Sequence, residues 1–258
     1  MKALVLSAGY GERLRPLTDV TPKPLLEVGG RPLIHYPLLM LKHAGVTDVT
    51  INVHYLGGQI ETALGSGSTL GIAIAYSPET ALLGTGGSLL PLRDHFAGEP
   101  FVLLNCDTIM NFDLRRMIEF HRERGGLATF ALRGGNDYYS RIEIADDRRI
   151  HRMRLLRARA AHQFDDHPAA LAPEVAAILT PYMYCGAMVC GPSVLQMLPK
   201  VAPFGLVGEV FAPMIARGLP LFGFVDDGFF RTVDDLESYE ALRKEFVTSP
   251  PMLAYLTD

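Results

Sequence analysis

The sequence predicts an α/β protein on a mixed, mostly parallel central sheet with helices on both faces, and three observations lead there. Apolar, strand-like runs alternate with helix-like stretches through the first half of the chain. Strands covered on both faces read as such continuous apolar runs, and the alternation with helices implies parallel pairing. The first run, Ala3-Leu4-Val5-Leu6, opens into a glycine-rich turn, and a later one, Phe101–Asn105, is closed by Asp107. Ligands of parallel sheets bind beyond the carboxyl ends of strands, so the turn and Asp107 should share one rim.

The elements follow in order. Ala3–Leu6 reads as a strand and Pro32–Ala44 as a helix, started by Pro32, stopped by Gly45, and kinked or restarted at Pro37. Asp48–Val53 is a strand, Gln59–Leu64 a short helix, Ile72–Tyr76 a strand and Ser88–His95 a helix. After the strand Phe101–Asn105, Asp113 caps a helix that ends before Gly125-Gly126, and Leu127–Leu132 is the next strand. Arg141–Ile144 and Ile150–Arg154 form a hairpin around Asp146-Asp147. Ala158–Ala177 shows no clear period and reads as an excursion loop. Tyr182–Val189 is strand-like, Gly208–Arg217 helical, Leu221–Val225 strand-like and Leu236–Phe246 a terminal helix.

Composition narrows the function. A chain of 258 residues, 48% hydrophobic and 20% charged, can bury one substantial core. A net charge of −4 gives no basic footprint for nucleic acid, and no apolar run approaches a membrane span of about 18 residues. The first apolar segment is broken by glycine too early for a signal peptide. Cys106, Cys185 and Cys190 have neither zinc spacing nor disulfide-framework density, which fits a reducing cytoplasm.

The turn itself is Ala8-Gly9-Tyr10-Gly11-Glu12-Arg13-Leu14-Arg15-Pro16-Leu17-Thr18, followed by Thr21-Pro22-Lys23-Pro24-Leu25. Glycines let successive backbone N–H groups approach an anion, and Arg13 and Lys23 add the positive charge a triphosphate needs. The flanking prolines fix where the Lys23 side chain starts. The Walker pattern is absent, since no Lys-Ser/Thr follows a second glycine at the required spacing. A dinucleotide fingerprint fails too: Leu14 stands where its third glycine belongs, and no acidic residue closes Asp48–Val53.

Gly-x-Gly-x-Arg-Leu-x-Pro-Leu-Thr with Pro-Lys-Pro-Leu resembles the sugar-1-phosphate nucleotidyltransferases, reinforced by Leu83-Gly84-Thr85-Gly86-Gly87 and Leu104-Asn105-Cys106-Asp107. Short N-acetylmuramate-1-phosphate uridylyltransferases and mannose- or heptose-1-phosphate guanylyltransferases are the most similar types. The resemblance implies a Rossmann-like, glycosyltransferase-A-like fold over residues 1–247, with a nucleotide half (1–135), a sugar half (136–247), a tail (248–258) and no β-helix domain. It implies a cytoplasmic enzyme, a monomer or small homo-oligomer, that uses magnesium to join an NTP to a sugar 1-phosphate. Its alternatives are cytidylyl transfer to an acid sugar or alcohol phosphate, and a non-catalytic nucleotide-sugar sensor.

Carried over residue by residue, the resemblance makes Arg13, Lys23 and Asp107 catalytic, with Asp107 a magnesium ligand although Cys106 replaces the usual glycine before it. Ala8, Gly9, Gly11, Glu79, Gly84 and Thr85 would bind the nucleotide. A carboxylate at Glu79 only accepts hydrogen bonds, which favours guanine or uracil, with their ring N–H donors, over cytosine. Gly186, in Tyr184-Cys185-Gly186, and Glu209 would meet the sugar. The usual Glu-Lys pair for the sugar phosphate is missing after Ile150, and Arg152 or Arg154 is the substitute. The second metal carboxylate is also displaced: Thr232 stands where the common Asp-x-Gly-Thr pattern has its aspartate. Thr232-Val233-Asp234 instead resembles the acid-sugar cytidylyltransferases, which makes Asp234 the expected ligand, with Asp226 or Asp227 as alternatives.

Overall fold

A computed structural model describes residues 1–135, 140–155 and 173–257. The strands are β1 (Lys2–Leu6), β2 (Glu27–Val28), β3 (Arg31–Pro32), β4 (Asp48–Val53), β5 (Ala73–Pro78), β6 (Phe101–Asn105) and β7 (Thr108–Met110), then β8 (Ala128–Arg133), β9 (Ser140–Ile144), β10 (Ile150–Leu155), β11 (Thr180–Cys190), β12 (Leu221–Val225) and β13 (Phe230–Thr232). The helices are α1 (His35–His43), α2 (Gly57–Leu64), α3 (Gly84–Gly87), α4 (Arg93–Phe96), α5 (Leu114–Arg124), α6 (Pro173–Ala177), α7 (Ala212–Ala216) and α8 (Leu236–Thr248). The predicted loop Ala158–Ala177 lies largely outside the described residues, and its last five residues are α6. No described helix is long and apolar enough to cross a membrane.

The chain forms two compact units: Met1–Leu82, Phe101–Arg115 and Gly228–Asp258 make the first, Leu83–Pro100 and Arg116–Asp227 the second. In the first, β6, β1, β4 and β5 are hydrogen-bonded in that order, all parallel. Ala3, Leu4 and Val5 are all fully buried. Successive strand residues point to opposite faces, so both faces of this sheet are covered. The outer strand β5 alternates between exposed and half-buried positions over its first four residues, and only Ser77 is buried. β7 pairs antiparallel with β13, matching Thr108 with Thr232. In the second unit β11 pairs antiparallel with β9 and β8, and β8 pairs in parallel with β12. Its core contains Phe130 edge-on to Tyr184 and Phe211, at 5.3 and 5.0 Å between centroids.

Several boundaries depart from the sequence reading, and proline explains three. Pro32 is taken into the β2–β3 hairpin, so α1 begins at His35 and carries Pro37 in its first turn, where no N–H is missed. Of the helix expected over Ser88–His95 only the last residues are helical, in α4; α3 ends before Ser88, and Pro91 lies between the two. A proline disfavours helical geometry in the residue before it, so the helix cannot run through. Gly208–Arg217 starts as a π-helical turn over Val207–Phe211 before becoming α7. Pro213 has no N–H for the carbonyl four residues back, and its ring would crowd that carbonyl, which favours the wider turn. The tail is anchored: Asn111 donates to the Met252 carbonyl and accepts from Ala254 N–H, and Tyr255 is buried.

Buried His121 lies 3.0 Å from the Thr129 hydroxyl, and burial followed by the Arg122 charge pushes its pKa down from 6.5 to about 4. Between these values the unfolded chain binds the extra proton, so the folded state loses stability as pH falls through this window. Denaturant midpoints at pH 7, 5.5 and 4 should show wild type losing up to about 3 kcal/mol more than His121→Asn. Identical pH profiles would contradict the assignment.

Candidate active site

The first unit gathers the sequence-predicted charges at the carboxyl ends of its parallel strands. β1 ends at Leu6, and the chain turns through Gly9 and Gly11 into a 3-10 turn, Glu12–Leu14, that buries Leu14 and leaves Arg13 half exposed. Gly11 has φ +65°, and a Cβ there would stand 3.0 Å from Thr18 and 3.2 Å from the Cβ of Lys23. Only glycine therefore lets the turn lie against the Lys23 stem. Gly9 is different: among the described residues a Cβ there would meet nothing within 4 Å. Packing among the described residues does not demand that glycine, as expected where a ligand is to approach the backbone.

Two cations meet two carboxylates on this rim. Lys23 Nζ lies 2.5 Å from Asp107 Oδ2, and Arg13 Nη2 lies 3.2 Å from Asp234 Oδ1. Both pairs are the residues the sequence nominates. The backbone sets their positions. Cys106 N–H donates to the Leu6 carbonyl, extending the β1–β6 pairing to the residue before Asp107. Beyond the β7–β13 ladder, Val233 N–H donates to the Asp107 carbonyl at 3.0 Å, so the chain on either side of Val233 runs beside Asp107. Asp234 N–H donates to the Ser238 hydroxyl, and Asp235 and Ser238 form the capping box that starts α8. The Ser238 hydroxyl thus ties the Asp234 backbone to the start of α8.

Glu79, just past β5, is buried, and its carboxylate accepts from Asn52 Nδ2 at 2.7 Å. Asn52 in turn accepts from Ser7 N–H at 2.8 Å, and the Ser7 hydroxyl donates to the Asn52 carbonyl. The charge- and glycine-based reading missed Asn52, although a lone amide between Ile51 and Val53 in an apolar strand was the available signal.

The remaining nominated residues belong to the second unit. Gly84 has φ +77°, and a Cβ there would lie 2.4 Å from the Phe204 carbonyl. Gly86 and Gly87 N–H groups donate to that carbonyl, and the Thr85 hydroxyl accepts from Leu206 N–H at 3.0 Å. The packing of this turn against residues 204–206 alone accounts for Gly84 being glycine. Glu209, on the π-helical turn, accepts from Gly205 N–H at 2.5 Å. Gly186, φ +75°, sits in a bulge where the β11–β8 register shifts between Tyr184 and Met188, a device that re-aims side chains. Arg152 and Arg141 both donate to buried Glu143. Burial would raise the Glu143 pKa, but hydrogen bonds from Arg152 and then Arg141 outweigh it and hold the carboxyl below its usual value. The Arg154 side chain lies outside what the structure describes. Asp227 accepts from Gly134 N–H, a structural role within the second unit. All three cysteines are free and buried, and burial pushes each thiol well up, away from the reactive thiolate.

Such a rim places the protein among the α/β folds that collect ligand groups beyond the ends of parallel strands. The sequence matches the Nucleotidyl transferase family over residues 2–153, and the chain belongs to that family. It is 53% identical over 114 residues to an N-acetylmuramate alpha-1-phosphate uridylyltransferase of Neisseria meningitidis serogroup B, covering 44% of this chain and 49% of that one. It is 33% identical over 248 residues to an Oryza sativa protein named Probable mannose-1-phosphate guanylyltransferase 1, covering 93% of this chain and 63% of that one. The chain thus spans about half to two thirds of the length of these relatives. Two solved structures share the fold. One is a Bacillus anthracis protein in complex with sucrose, with TM-score 0.76, 20% identity and 95% and 94% coverage. The other is HddC from Yersinia pseudotuberculosis, with TM-score 0.74, 18% identity and 95% and 99% coverage.

The two glycines of the turn separate packing from binding. Gly11→Ala forces a side chain into left-handed backbone and against Lys23, and should cost about 1–2 kcal/mol in a denaturant titration. Gly9→Ala should unfold at the wild-type midpoint yet bind an NTP at least tenfold more weakly by calorimetry. Unaltered nucleotide affinity in Gly9→Ala would remove this turn from the binding site.

Proposed function

We propose that this protein transfers a nucleotidyl group from an NTP, preferentially UTP or GTP, to a sugar 1-phosphate, releasing pyrophosphate. The observation that carries the proposal is the double pairing of Lys23 with Asp107 and Arg13 with Asp234 beside the glycine-rich turn. A sugar-1-phosphate oxygen attacks the α-phosphorus, the bond to the oxygen that bridges to the β-phosphorus breaks, and its electron pair leaves with pyrophosphate. The nucleophile is already an anion, so the task is to align two polyanions and neutralise their charge without a general base. Backbone N–H groups of the turn hold phosphate oxygens, Arg13 spans the α-phosphate and leaving pyrophosphate, and Lys23 binds a phosphate from the other side. As nucleotide enters, both cations exchange their carboxylate partners for phosphate.

Asp107 and Asp234 would then hold a magnesium ion. Among the described residues no cluster of three or more His, Cys, Asp or Glu side chains is gathered. The donor set nevertheless suits magnesium, which takes hard oxygen ligands and completes its shell with waters and substrate phosphates around one or two carboxylates. Bound there, the ion would neutralise charge on the phosphates. Glu79 accepts from the ring N–H of guanine or uracil, and Gly186 and Glu209 contribute to the sugar half. The names of the uridylyl and guanylyl relatives agree with that base choice. Residues 1–135 serve as the nucleotide half and 136–247 as the sugar half of a single catalytic domain, working in a reducing cytoplasm.

Pyrophosphate release from each of the four NTPs with a panel of sugar 1-phosphates and magnesium tests this reading. UTP or GTP should support turnover, and no release from any combination would refute it. In the productive combination, Asp107→Asn and Asp234→Ala should each lower kcat by roughly 10²-fold or more, as should Arg13→Lys, which keeps the charge but loses the fork. Asp227→Ala should be mild, and a crippled Asp227→Ala beside a normal Asp234→Ala would reassign the second ligand.

A further inference from the structure

We infer that Asn52 sets the hydrogen-bonding polarity of Glu79, so that the two residues together form the base-specificity element. The inference rests on the proposed contact of Glu79 with the base. Asn52 and Glu79 are 4% and 7% exposed, so the bond between them is shielded from water. The Asn52 amide has one allowed orientation. Its Oδ1 accepts from Ser7 N–H, a group that can only donate, so Nδ2 is the end that faces Glu79, 2.7 Å from Oε1. The Glu79 backbone is equally fixed. Its N–H donates to the Val53 carbonyl, and its carbonyl lies 2.7 Å from His54 Nδ1. A carbonyl only accepts, so Nδ1 carries a proton; in the neutral ring Nε2 then accepts from the Tyr10 hydroxyl at 3.2 Å. Ser7 and Tyr10 belong to the entry and middle of the glycine-rich turn, so this network ties the reader of the base to the proposed phosphate cradle.

A fixed donor at Asn52 demands an acceptor from residue 79. Glutamate meets that demand and still presents an acceptor to the base, since both of its oxygens accept. A glutamine in the same place would have to give its carbonyl to Asn52 and turn its NH2 towards the base, reversing what it reads. Cytosine offers an acceptor at N3, where uracil has its N3–H and guanine its N1–H donor. In this framework residue 79 selects a base only through residue 52. Asn52 is therefore a positioning residue, and its effect must be reversible by inverting its own polarity. The carboxylate introduced by Asn52→Asp would keep an oxygen for Ser7 N–H but accept from residue 79. In the Glu79→Gln background, the new amide would then swing its NH2 to that carboxylate and its carbonyl to the base.

The test is equilibrium binding of magnesium-GTP, UTP and CTP to the full chain by calorimetry, which needs no turnover. Wild type should prefer GTP or UTP over CTP. Glu79→Gln should move the preference towards CTP by at least tenfold, and Asn52→Asp combined with Glu79→Gln should restore the wild-type order. Should that double variant fail to fold, Asn52→Ala with Glu79→Gln takes its place: the introduced glutamine is then free to turn either way, and the CTP preference should vanish. A shift in Glu79→Gln that neither double variant alters would overturn the role of Asn52 while leaving Glu79 at the base. Unchanged preference in Glu79→Gln would overturn the contact between Glu79 and the base, and this inference with it. Failure of the wild type to bind any of the three would overturn the nucleotide reading as a whole.

Discussion

Asp107 and Asp234 can lie on one partly buried rim because each has a cation at hydrogen-bond distance. Lys23 has 12% of its side chain exposed and Asp234 also 12%, so neither charge is fully hydrated. Removing Asp107 or Arg13 would leave Lys23 or Asp234 largely buried without its partner, which costs more than the pair itself contributes. Several other features of the first unit serve this arrangement. Gly11 lets the turn lie on the Lys23 stem, Pro22 and Pro24 define where that stem begins, and the Ser238 hydroxyl ties the Asp234 backbone to the start of α8.

The arrangement is more rigid in its backbone than in its side chains. β7 and β13 form a short ribbon, and the Val233 to Asp107 bond continues it one residue further. Lysine and arginine side chains, by contrast, have several rotatable bonds and can change partner without moving the chain. In the proposed function such a site stores positive charge close to where phosphates would arrive, neutralised until they do. Its two carboxylates would then be released to a divalent cation as the phosphates bring in more negative charge. Such an exchange would offset part of the negative charge that the phosphates bring, which helps two polyanions to approach.

Much of this was legible in the sequence. Glycine spacing, Arg13, the proline-flanked Lys23 and Asp107 after an apolar strand are local patterns with local causes, and β6 and β12 fall where their apolar runs place them. Asp234 was accessible through the Thr-Val-Asp pattern, but its tie to the Ser238 hydroxyl depends on which residue caps the helix. Asn52 was visible only as an amide in an apolar strand; its role was not, because it comes from partners 45 and 27 residues away that only the parallel register brings together. Gly84 looked like a ligand-approach glycine and proved to be required by the Phe204 carbonyl, a contact no local pattern announces. Pro32, Pro91 and Pro213 were each visible, yet whether a proline starts, splits or widens a helix is decided by its neighbours in space.

The exchange of partners is the central claim, and diffraction from crystals grown with manganese and a non-hydrolysable analogue of the preferred NTP tests it most directly. Manganese replaces magnesium and can be located by its anomalous scattering. The account predicts an anomalous peak at coordination distance, roughly 2.1 Å for a magnesium-like site, from carboxylate oxygens of both Asp107 and Asp234. Lys23 and Arg13 should then be bonded to phosphate oxygens. A nucleotide bound with the Lys23–Asp107 and Arg13–Asp234 pairs still intact, and the metal held elsewhere, would contradict it.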